Sequence, residues 1–418
     1  MRLTDLIGLV KTVTDYDPSV ETYNDEIRRL LNNALLELFA EKAWVFAQKE
    51  VTVTAHADVT GTVSVTNGAT AVTAMAFGED WMDGQIIAID EVEYDIAWVD
   101  TVGSILYLRT AYAGITAGGV SAKVKERYID LPQDTVSLLN ISTRDRTGGT
   151  QPKDIGRFVP LTRYEDDWWG IPLDETGTST HWVPHDDANV PSPVEAATSA
   201  LLAGPPNLTS GTTYSFVRTL KFAGRRSSPS PVVTATPTGG TLRVDVNLPA
   251  TGIASGYFQE LWMKFAPYDA YRLTGQVTIP SSVTTTITIQ PPASDWQFNE
   301  RLKRVDGNYQ RVRLYPRQGT DTVLSIRYLY RPQLLMEETD APEFPAAHHQ
   351  YLAYKALSDV FVKHDNLPQH KIYLEKAEEE IIKMEQRYLT ELSRRWVKGE
   401  ESADFFAYRS KWGPLTHS

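Results

Sequence analysis

The sequence contains no cysteine among its 418 residues. Disulfide scaffolds, thiolate nucleophiles, cysteine-ligated zinc and iron–sulfur clusters are therefore all excluded. A metal site in this chain would have to be built from histidine and carboxylate ligands alone. The absence of cysteine also fits a protein assembled in a reducing cytoplasm.

Basic residues are outnumbered by acidic ones. Lysine and arginine total 41 against 53 aspartates and glutamates, which gives a formal net charge of −12. We therefore expect no affinity for nucleic acid based on overall charge, because phosphate binding depends on accumulated lysine and arginine.

Long apolar runs are also missing. No stretch approaches the roughly 18 apolar residues of a membrane span, and Thr4 and Asp5 stand where a signal peptide needs an apolar core. We expect a soluble protein that is made in a cytoplasm and does not associate with a membrane.

The N-terminal part of the sequence predicts a helix followed by strands. The segment from Thr22 to Ala43 has apolar residues at three- and four-residue steps, as in an amphipathic helix. From Val51 onward the period is two, and Asn67-Gly68 is typical of a hairpin turn. We predict a small antiparallel β domain over residues 51–131, with the pattern of a barrel.

The middle of the chain combines a weak pattern with a strong one. Residues 132–203 favour irregular structure around one or two strands, and Gly204-Pro205-Pro206 indicates a linker. Alternating runs between Thr213 and Ile289 are spaced as in a β-sandwich of roughly 90 residues. We predict an inserted sandwich over residues 204–292, similar in its first hairpin to fibronectin type III or immunoglobulin-like domains.

The last third of the sequence returns to helix. A predicted strand pair, Val312–Leu314 and Val323–Tyr330, precedes a helix from Pro345 to about Lys363. Asn366-Leu367-Pro368 breaks that helix, and a longer one is predicted from Gln369 to Val397.

These elements predict an α+β fold. Its helical scaffold, an N-terminal helix plus a C-terminal helical hairpin with the strand pair, comes from residues 1–50 and 293–398. It carries the small antiparallel β domain (51–131), the connecting region (132–203) and the β-sandwich (204–292), and a C-terminal tail (399–418) follows.

One acidic cluster could be interpreted as catalytic. Glu165, Asp166 and Asp167 lie beside Trp168-Trp169, as in a glycosidase with a sugar-stacking platform. Adjacent residues on an extended chain point to opposite sides, so a solvated acidic turn over buried tryptophan is the favoured interpretation. The chain also has neither a phosphate-binding glycine loop nor a Gly-x-Ser-x-Gly elbow. We expect no enzyme activity.

The histidines predict no metal site. Within the helical hairpin, the four histidines lack the i, i+4 spacing with an intervening glutamate that marks a helical zinc site. These are His348, His349, His364 and His370. His181 and His185 have Pro184 between them, which prevents a shared helical face. We expect helix-surface or interface histidines, no metal and no cofactor.

A basic run is the best local candidate for contact with phosphate. Its members are Arg301, Lys303, Arg304, Arg311, Arg313 and Arg317. Alternation at Arg311-Val312-Arg313-Leu314 describes the wet face of a strand equally well. A solvated face or protein interface is favoured over proximity to DNA.

The C-terminal tail is too aromatic for a solvated disordered end. Its aromatic residues, with one from the preceding helix, are Trp396, Phe405, Phe406, Tyr408 and Trp412. Aromatic anchors are typical of interface cores. We hypothesise that residues 400–418 order against a neighbouring subunit; the alternative is that they pack on their own domain.

Three stretches near the C-terminus form a larger pattern. They are Arg313 to Pro316, Ser325 to Pro332, and the proline-started helix from Phe344 to Leu357; a long charged helix, Lys371 to Val397, follows. This order resembles the head-to-tail adaptor, or connector, proteins of tailed bacteriophages, in which an "LyP" strand leads into an "RYxYxP" strand and then a helix. With the N-terminal helix and β block, the resemblance covers about 300 residues.

The resemblance implies a structural virion protein of the head–tail neck, assembled in the host cytoplasm. It implies a homo-oligomeric ring, a dodecamer, bound below the portal and joined to a tail, nozzle or tail-tube protein. The tail residues would then contact the portal or a neighbouring subunit. Double-stranded DNA would pass through the lumen without specific binding, which suits a net negative chain. The sandwich insert departs from compact adaptors and suggests an added peripheral function.

Two other classes of protein remain open. A tail accessory protein that binds a host surface or glycan would explain the sandwich insert and the Trp-rich segment. A glycan hydrolase would depend only on residues 165–167.

Overall fold

A computed structural model describes most of the chain. The described residues are 1–14, 21–73, 77, 79–100, 104–143, 157–158, 176–177, 179, 181–190, 192–193, 195–205, 208–222, 225–239, 241–249, 258–266, 268–278, 284–292, 296, 299–302 and 308–389. Within them the fold is α+β, with more residues in strands than in helices.

The chain divides into two compact units. One, which we call the terminal unit, contains residues 1–49 and the described segment from 329 to 389; the other, the β unit, contains residues 50–328. The domain ranges expected from the sequence stay a prediction. The two compact units meet in the sequence at residues 49/50 and 328/329 instead.

The terminal unit is helical. Its helices are α1 Leu3–Thr14, α2 Glu21–Glu41, α3 Gln350–Lys363 and α4 Leu367–Tyr388. The predicted amphipathic helix is confirmed as α2, which buries Leu31, Leu35 and Leu38 completely. The first residues of the chain contact the segment from 329 to 389 directly, since the N–H of Leu3 donates to the carbonyl of Asp340 at 2.7 Å.

Helix α4 begins as the sequence predicts and ends earlier. The side chain of Asn366 accepts a hydrogen bond from the N–H of Gln369 and caps the helix. The prediction that it continues to Val397 is wrong at its C-terminal end: Leu389 is extended, buried, and bridged to Trp44. Burial of Leu389 in this β-bridge ends the helix at Tyr388.

The strands of the β unit, two of which extend into the terminal unit, are numbered in chain order. They are β1 Gln48–Ala55, β2 Val59–Val65, β3 Ala71–Thr73, β4 Ile86–Ile89, β5 Val92–Asp100, β6 Ile105–Leu108, β7 Ala117–Lys125, β8 Ile129–Asp130, β9 Thr135–Thr143, β10 Arg157–Phe158, β11 Thr176–Gly177, β12 His181–Asn189, β13 Thr198–Leu202, β14 Tyr214–Phe222, β15 Arg225–Arg226, β16 Val233–Ala235, β17 Arg243–Leu248, β18 Phe258–Phe265, β19 Tyr268–Thr278, β20 Thr285–Thr288, β21 Asn308–Tyr315, β22 Arg317–Gln318 and β23 Thr322–Tyr330.

Two sheets, β1-β23-β9 and β10-β12-β21-β8, form what we call the framework, and β11 pairs with β22 beside them. The two sheets share one core, to which Ile141, Trp182, Leu314 and Ile326 contribute. The expected strand pair of residues 312–314 and 323–330 is thus split between β21 and β23, which lie in different sheets. Pairing of β12 with β21 along nearly its whole length holds Pro184 inside a strand.

The first insert is a barrel between β1 and β8. Its antiparallel strands close in the order β2-β3-β6-β5-β4-β7, which confirms the predicted barrel pattern. Gly68 has φ of 81°, a conformation that glycine adopts readily, at the turn predicted from Asn67-Gly68. Apolar side chains from all six strands fill the interior, among them Val72, Ile87 and Leu106.

The second insert is a sandwich between β12 and β21. Its sheets are β13-β17-β20 and β15-β14-β18-β19, with β16 also paired to β14. Tyr214, Phe216, Val246 and Leu261 pack in one core between the sheets. The first strand, Thr198–Leu202, precedes the expected start at residue 204, so the sandwich takes in part of the region predicted to be a connection.

Candidate functional site

Charged side chains concentrate where each insert joins the framework. We call the first group the sandwich joint; it consists of Asp130, Gln133, Arg225, Arg226, Glu260, Glu300, Tyr309 and Arg311. We call the second the barrel neck; it consists of His56, Asp58, Glu126, Arg317 and Asp321.

At the sandwich joint, Asp130 of the framework accepts hydrogen bonds from two arginines. Nη1 of Arg225, on the insert, lies 3.0 Å from Oδ2, and Nε of Arg311 donates to Oδ1 at 2.8 Å. The Arg225 guanidinium also lies over the ring of Tyr309, 4.5 Å from its centre. Burial lowers the pKa of Arg225, and the charge of Asp130 opposes that shift. A framework carboxylate therefore holds the insert through a largely buried, charge-assisted contact.

Arg226 points the other way and binds its own domain. Its guanidinium donates to both carboxylate oxygens of Glu260, at 2.6 and 3.0 Å, and to both of Glu300, at 2.7 and 3.0 Å. Glu260 is completely buried. The hydrogen bonds to these carboxylates raise the pKa of Arg226. Successive side chains on a strand alternate in direction. Arg225 therefore contacts the framework, and the adjacent Arg226 contacts the insert.

The backbone of Arg226 is fixed to the framework as well. The amide side chain of Gln133 donates to its carbonyl at 2.7 Å and accepts from its N–H at 2.8 Å. Paired donor and acceptor contacts of this kind set the position of a strand end without using its side chain.

The barrel reaches the same place at Gly84. This glycine has φ of +72°, and a Cβ added to it would lie 3.0 Å from Nη2 of Arg311. The guanidinium of Arg311 lies over the rings of Tyr128 and Tyr309, 5.4 Å from each centre. Arg311 is thus the point where framework, barrel and sandwich meet.

The barrel neck ties together the two segments that connect the barrel. Asp58 binds Arg317, and Oδ2 of Asp58 also lies 2.5 Å from Nζ of Lys123. The N–H of His56 donates to Oε2 of Glu126 at 2.6 Å. A small cavity with room for about one water molecule lies among these residues.

The carboxyl of Glu126, in the barrel neck, has a raised pKa. Burial raises its pKa to about 8, and the negative charges of Asp130 and Asp321 add to the shift, while the hydrogen bond from His56 opposes it. Near neutral pH this carboxyl is therefore predominantly protonated.

The basic run predicted from the sequence is only partly described. Arg311 and Arg317 have side chains 12% and 6% exposed, and both bind carboxylates of the same chain. Arg313 lies over the Tyr128 ring, and Arg301 bridges the backbone of Arg272. Lys303 and Arg304 lie outside the described residues. The proximity of this run to DNA or to another protein stays a prediction.

The histidines of the helical hairpin contact protein groups. His348 Nδ1 lies 2.9 Å from Glu380 Oε2, and His349 Nε2 lies 2.8 Å from the carbonyl of Phe344. Both rings are buried, whereas the sequence predicts helix-surface or interface histidines. Among the residues that the structure describes, no three histidine or carboxylate side chains converge on a metal-sized site.

Helix α4 has both buried and exposed apolar residues. Ala377 and Met384 are buried. Ile372 and Ile382 are 44% and 52% exposed. At 3.6 residues per turn, these two isoleucines lie about 130–150° around the helix from the buried pair. They are therefore exposed in the described chain, on a side that also carries charged residues such as Glu375.

Several predicted site residues lie outside the described residues. They are Trp396, Phe405, Phe406, Tyr408 and Trp412, with the rest of the tail over 399–418, and the acidic cluster of residues 165–169. Docking of the C-terminal tail and the role of the acidic cluster therefore stay predictions.

No family model, no curated protein and no solved structure matches this chain. Of the helices that the structure describes, none combines the length and apolar character that crossing a bilayer requires.

Proposed function

We propose that this chain is a structural adaptor of the bacteriophage neck and not an enzyme. It would form a homo-oligomeric ring of twelve copies below the portal, join the capsid to a tail, nozzle or tail-tube protein in the virion, and let DNA pass. The single observation that carries the proposal is the exposure of Ile372 and Ile382, 44% and 52% exposed on α4, in the helical hairpin where the sequence pattern resembles adaptors. Burial of these side chains against a second copy or the portal would stabilise such a contact.

Two arginines of the basic run support the second half of the proposal. Arg311 and Arg317 are held against Asp130 and Asp58, and only 12% and 6% of their side-chain surfaces are exposed, so little of either guanidinium is accessible to phosphate. With a net charge of −12, a ring of such subunits would gain little from counterion release and would not hold passing DNA.

The proposal is tested by native mass spectrometry of the full chain, alone and mixed with its portal. Replacing Ile372 and Ile382 together by Glu converts the two exposed isoleucines of α4 into charged residues. We expect subunit or portal association to weaken about tenfold or more, which corresponds to about 1.4 kcal/mol. Ile115→Glu is the matched control, because Ile115 is 85% exposed on the barrel insert. Association with neither subunit nor portal in the unmodified protein would overturn the proposal.

The tail is tested separately. Truncation after Gly399 should abolish or strongly weaken portal binding if residues 400–418 dock there. Unchanged binding and assembly would contradict docking and favour packing of the tail on its own domain.

A second candidate, a tail accessory protein that binds a host surface or glycan, is favoured by one observation on the sandwich. Leu201 and Leu202 are 42% and 41% exposed on β13, an edge strand of the smaller sheet. Glycan-array binding by the full chain, lost on replacing both leucines by Ser, would support this candidate. Absence of glycan binding together with portal association would exclude it.

A further inference from the structure

The barrel is connected to the framework by two segments that meet at one carboxyl group. Residues 56–58 lead into the barrel from β1, and residues 126–128 lead out of it to β8. The hydrogen bond from the N–H of His56 to Glu126 joins the first segment to the second. The N–H of Ala57 donates to Oδ1 of Asp321 at 2.8 Å, which anchors the entering segment to the framework. Glu126 is thus the direct link between the two connections.

The acidic neighbours of Glu126 come from two framework elements. Asp130 lies on β8, and Asp321 precedes β23; the negative charge of each disfavours ionisation of Glu126. Asp321 Oδ2 also lies 3.8 Å from Nδ1 of His56. The ring of His56 stacks on Trp81 of the barrel, with centres 4.5 Å apart.

The cations that line the same cavity are held by other carboxylates. Arg317 binds Asp58, and Arg127 Nη2 donates to Glu93 at 2.7 Å. Among the described residues, Glu126 forms no ion pair of its own. An ionised Glu126 would therefore be a half-buried negative charge close to two aspartates, which is costly.

We propose that the barrel neck is a proton-operated joint: protonated Glu126 holds the two connections of the barrel together, and ionisation of Glu126 loosens them. A neutral carboxyl accepts the His56 hydrogen bond without repulsion from Asp130 and Asp321. The His56 N–H favours the ionised form, but desolvation and the charges of Asp130 and Asp321 outweigh it. An ionised carboxyl therefore moves toward water, and its movement breaks the link between the segments. The inference rests on the geometry of the neck and is independent of the proposed adaptor function.

The sign of the pH effect follows from the direction of the shift. The pKa of Glu126, about 8 in the folded protein, is above its ordinary value of 4.5, so the folded neck binds the proton more tightly than the unfolded chain does. The stabilising contribution is complete below about pH 4.5 and is lost as the pH rises through 8. The joint is closed in mildly acidic and neutral solution and opens above it.

Hydrogen exchange of the His56 and Ala57 amides in the full chain tests the proposal. Between pH 7 and 9 the ionised fraction of Glu126 rises from about one tenth to about nine tenths. We expect exchange of these amides to accelerate about tenfold beyond intrinsic base catalysis. In Glu126→Gln, a neutral side chain of the same size, the excess should disappear. Absence of any excess in the unmodified protein, or an equal excess in the variant, would overturn the proposal.

A second variant separates proton linkage from a merely structural role. Asp321→Asn removes one negative charge but keeps an oxygen for the Ala57 N–H, so the pH midpoint of the excess exchange should move to lower values. Asp95→Asn, at an exposed position of the same barrel, is the matched control and should leave the midpoint unchanged. If Glu126→Gln fails to fold, an unmoved midpoint in Asp321→Asn still overturns the proposal.

Discussion

The two inserts are attached to the same framework by opposite electrostatic means. At the sandwich joint, the buried carboxylates of Asp130 and Glu260 are each matched by guanidinium groups at hydrogen-bond distance. At the barrel neck, the carboxyl of Glu126 accepts only a backbone N–H among the described residues and remains protonated instead. A buried carboxyl can thus be accommodated either by a cation or by a proton.

The difference determines which joint responds to solution conditions. Arginine stays charged across the whole physiological pH range, so the cations of the sandwich joint do not change with pH in a cell. A carboxyl with a pKa of about 8 changes state close to neutrality. On the proposal made above, the attachment of the barrel responds to pH, whereas the arginine contacts of the sandwich do not.

The largest expected effect comes from breaking the sandwich joint at Arg226. Arg226→Leu leaves the fully buried carboxylate of Glu260 without its main cation, and we expect a loss of about 3–5 kcal/mol in the free energy of unfolding. Urea denaturation at neutral pH measures it. Adding Glu260→Met to the same chain should recover most of the loss, because an apolar pair of similar volume needs no compensation. A double variant less stable than Arg226→Leu would contradict this account.

An intermediate effect is expected at Asp130, which acts on both joints. Asp130→Asn weakens the contacts to Arg225 and Arg311 and should cost about 2–3 kcal/mol, again by urea denaturation. The same change removes a charge that raises the pKa of Glu126. The pH midpoint for exchange of the His56 amide should therefore fall. A loss of stability with an unmoved midpoint would show that the two joints are electrostatically separate.

The smallest expected effect measures how much the close approach of the barrel to Arg311 contributes to stability. Gly84→Ala forces a side chain into a positive-φ position against Arg311 and should cost about 2 kcal/mol. Gly119→Ala is the control, because Gly119 has a similar φ of +71° and no atom within 4 Å of the added Cβ. It should cost about 1 kcal/mol. Equal losses in thermal or urea unfolding would mean that the approach of Arg311 to Gly84 adds nothing.

The inserts could be predicted from the sequence because each is built from neighbouring strands. The predicted barrel pattern corresponds to the closed barrel of β2 to β7, and Asn67-Gly68 lies at the predicted turn. The framework could not be predicted in this way. Its strands come from distant parts of the chain, and β12 contains Pro184, a residue that is rare inside a strand. Helix α1 was also missed, although Leu3, Leu6 and Val10 have helical spacing.

The same limit applies to the candidate site. Arg311 and Arg317 stood out in the sequence because they cluster with other basic residues. Their partners Asp130 and Asp58 carry no local signal, since Arg311 and Asp130 are separated by 181 positions. Arg225-Arg226 after Gly224 was a detectable signal, an unusual pair of charges in a hairpin. Glu126 has no sequence signature, because its environment arises only when the two barrel connections are brought together.

The construction of the terminal unit has a consequence for synthesis. Helices α1 and α2 are made first, but the segment that covers them begins only after the 50–328 stretch of the β unit. At a translation rate of about 5–20 residues per second, that interval lasts roughly 14–56 s. During this time the apolar sides of α1 and α2, including Leu6 and Leu35, lack their final partners. On the ribosome, the first helices therefore wait for their final partners until α3 emerges.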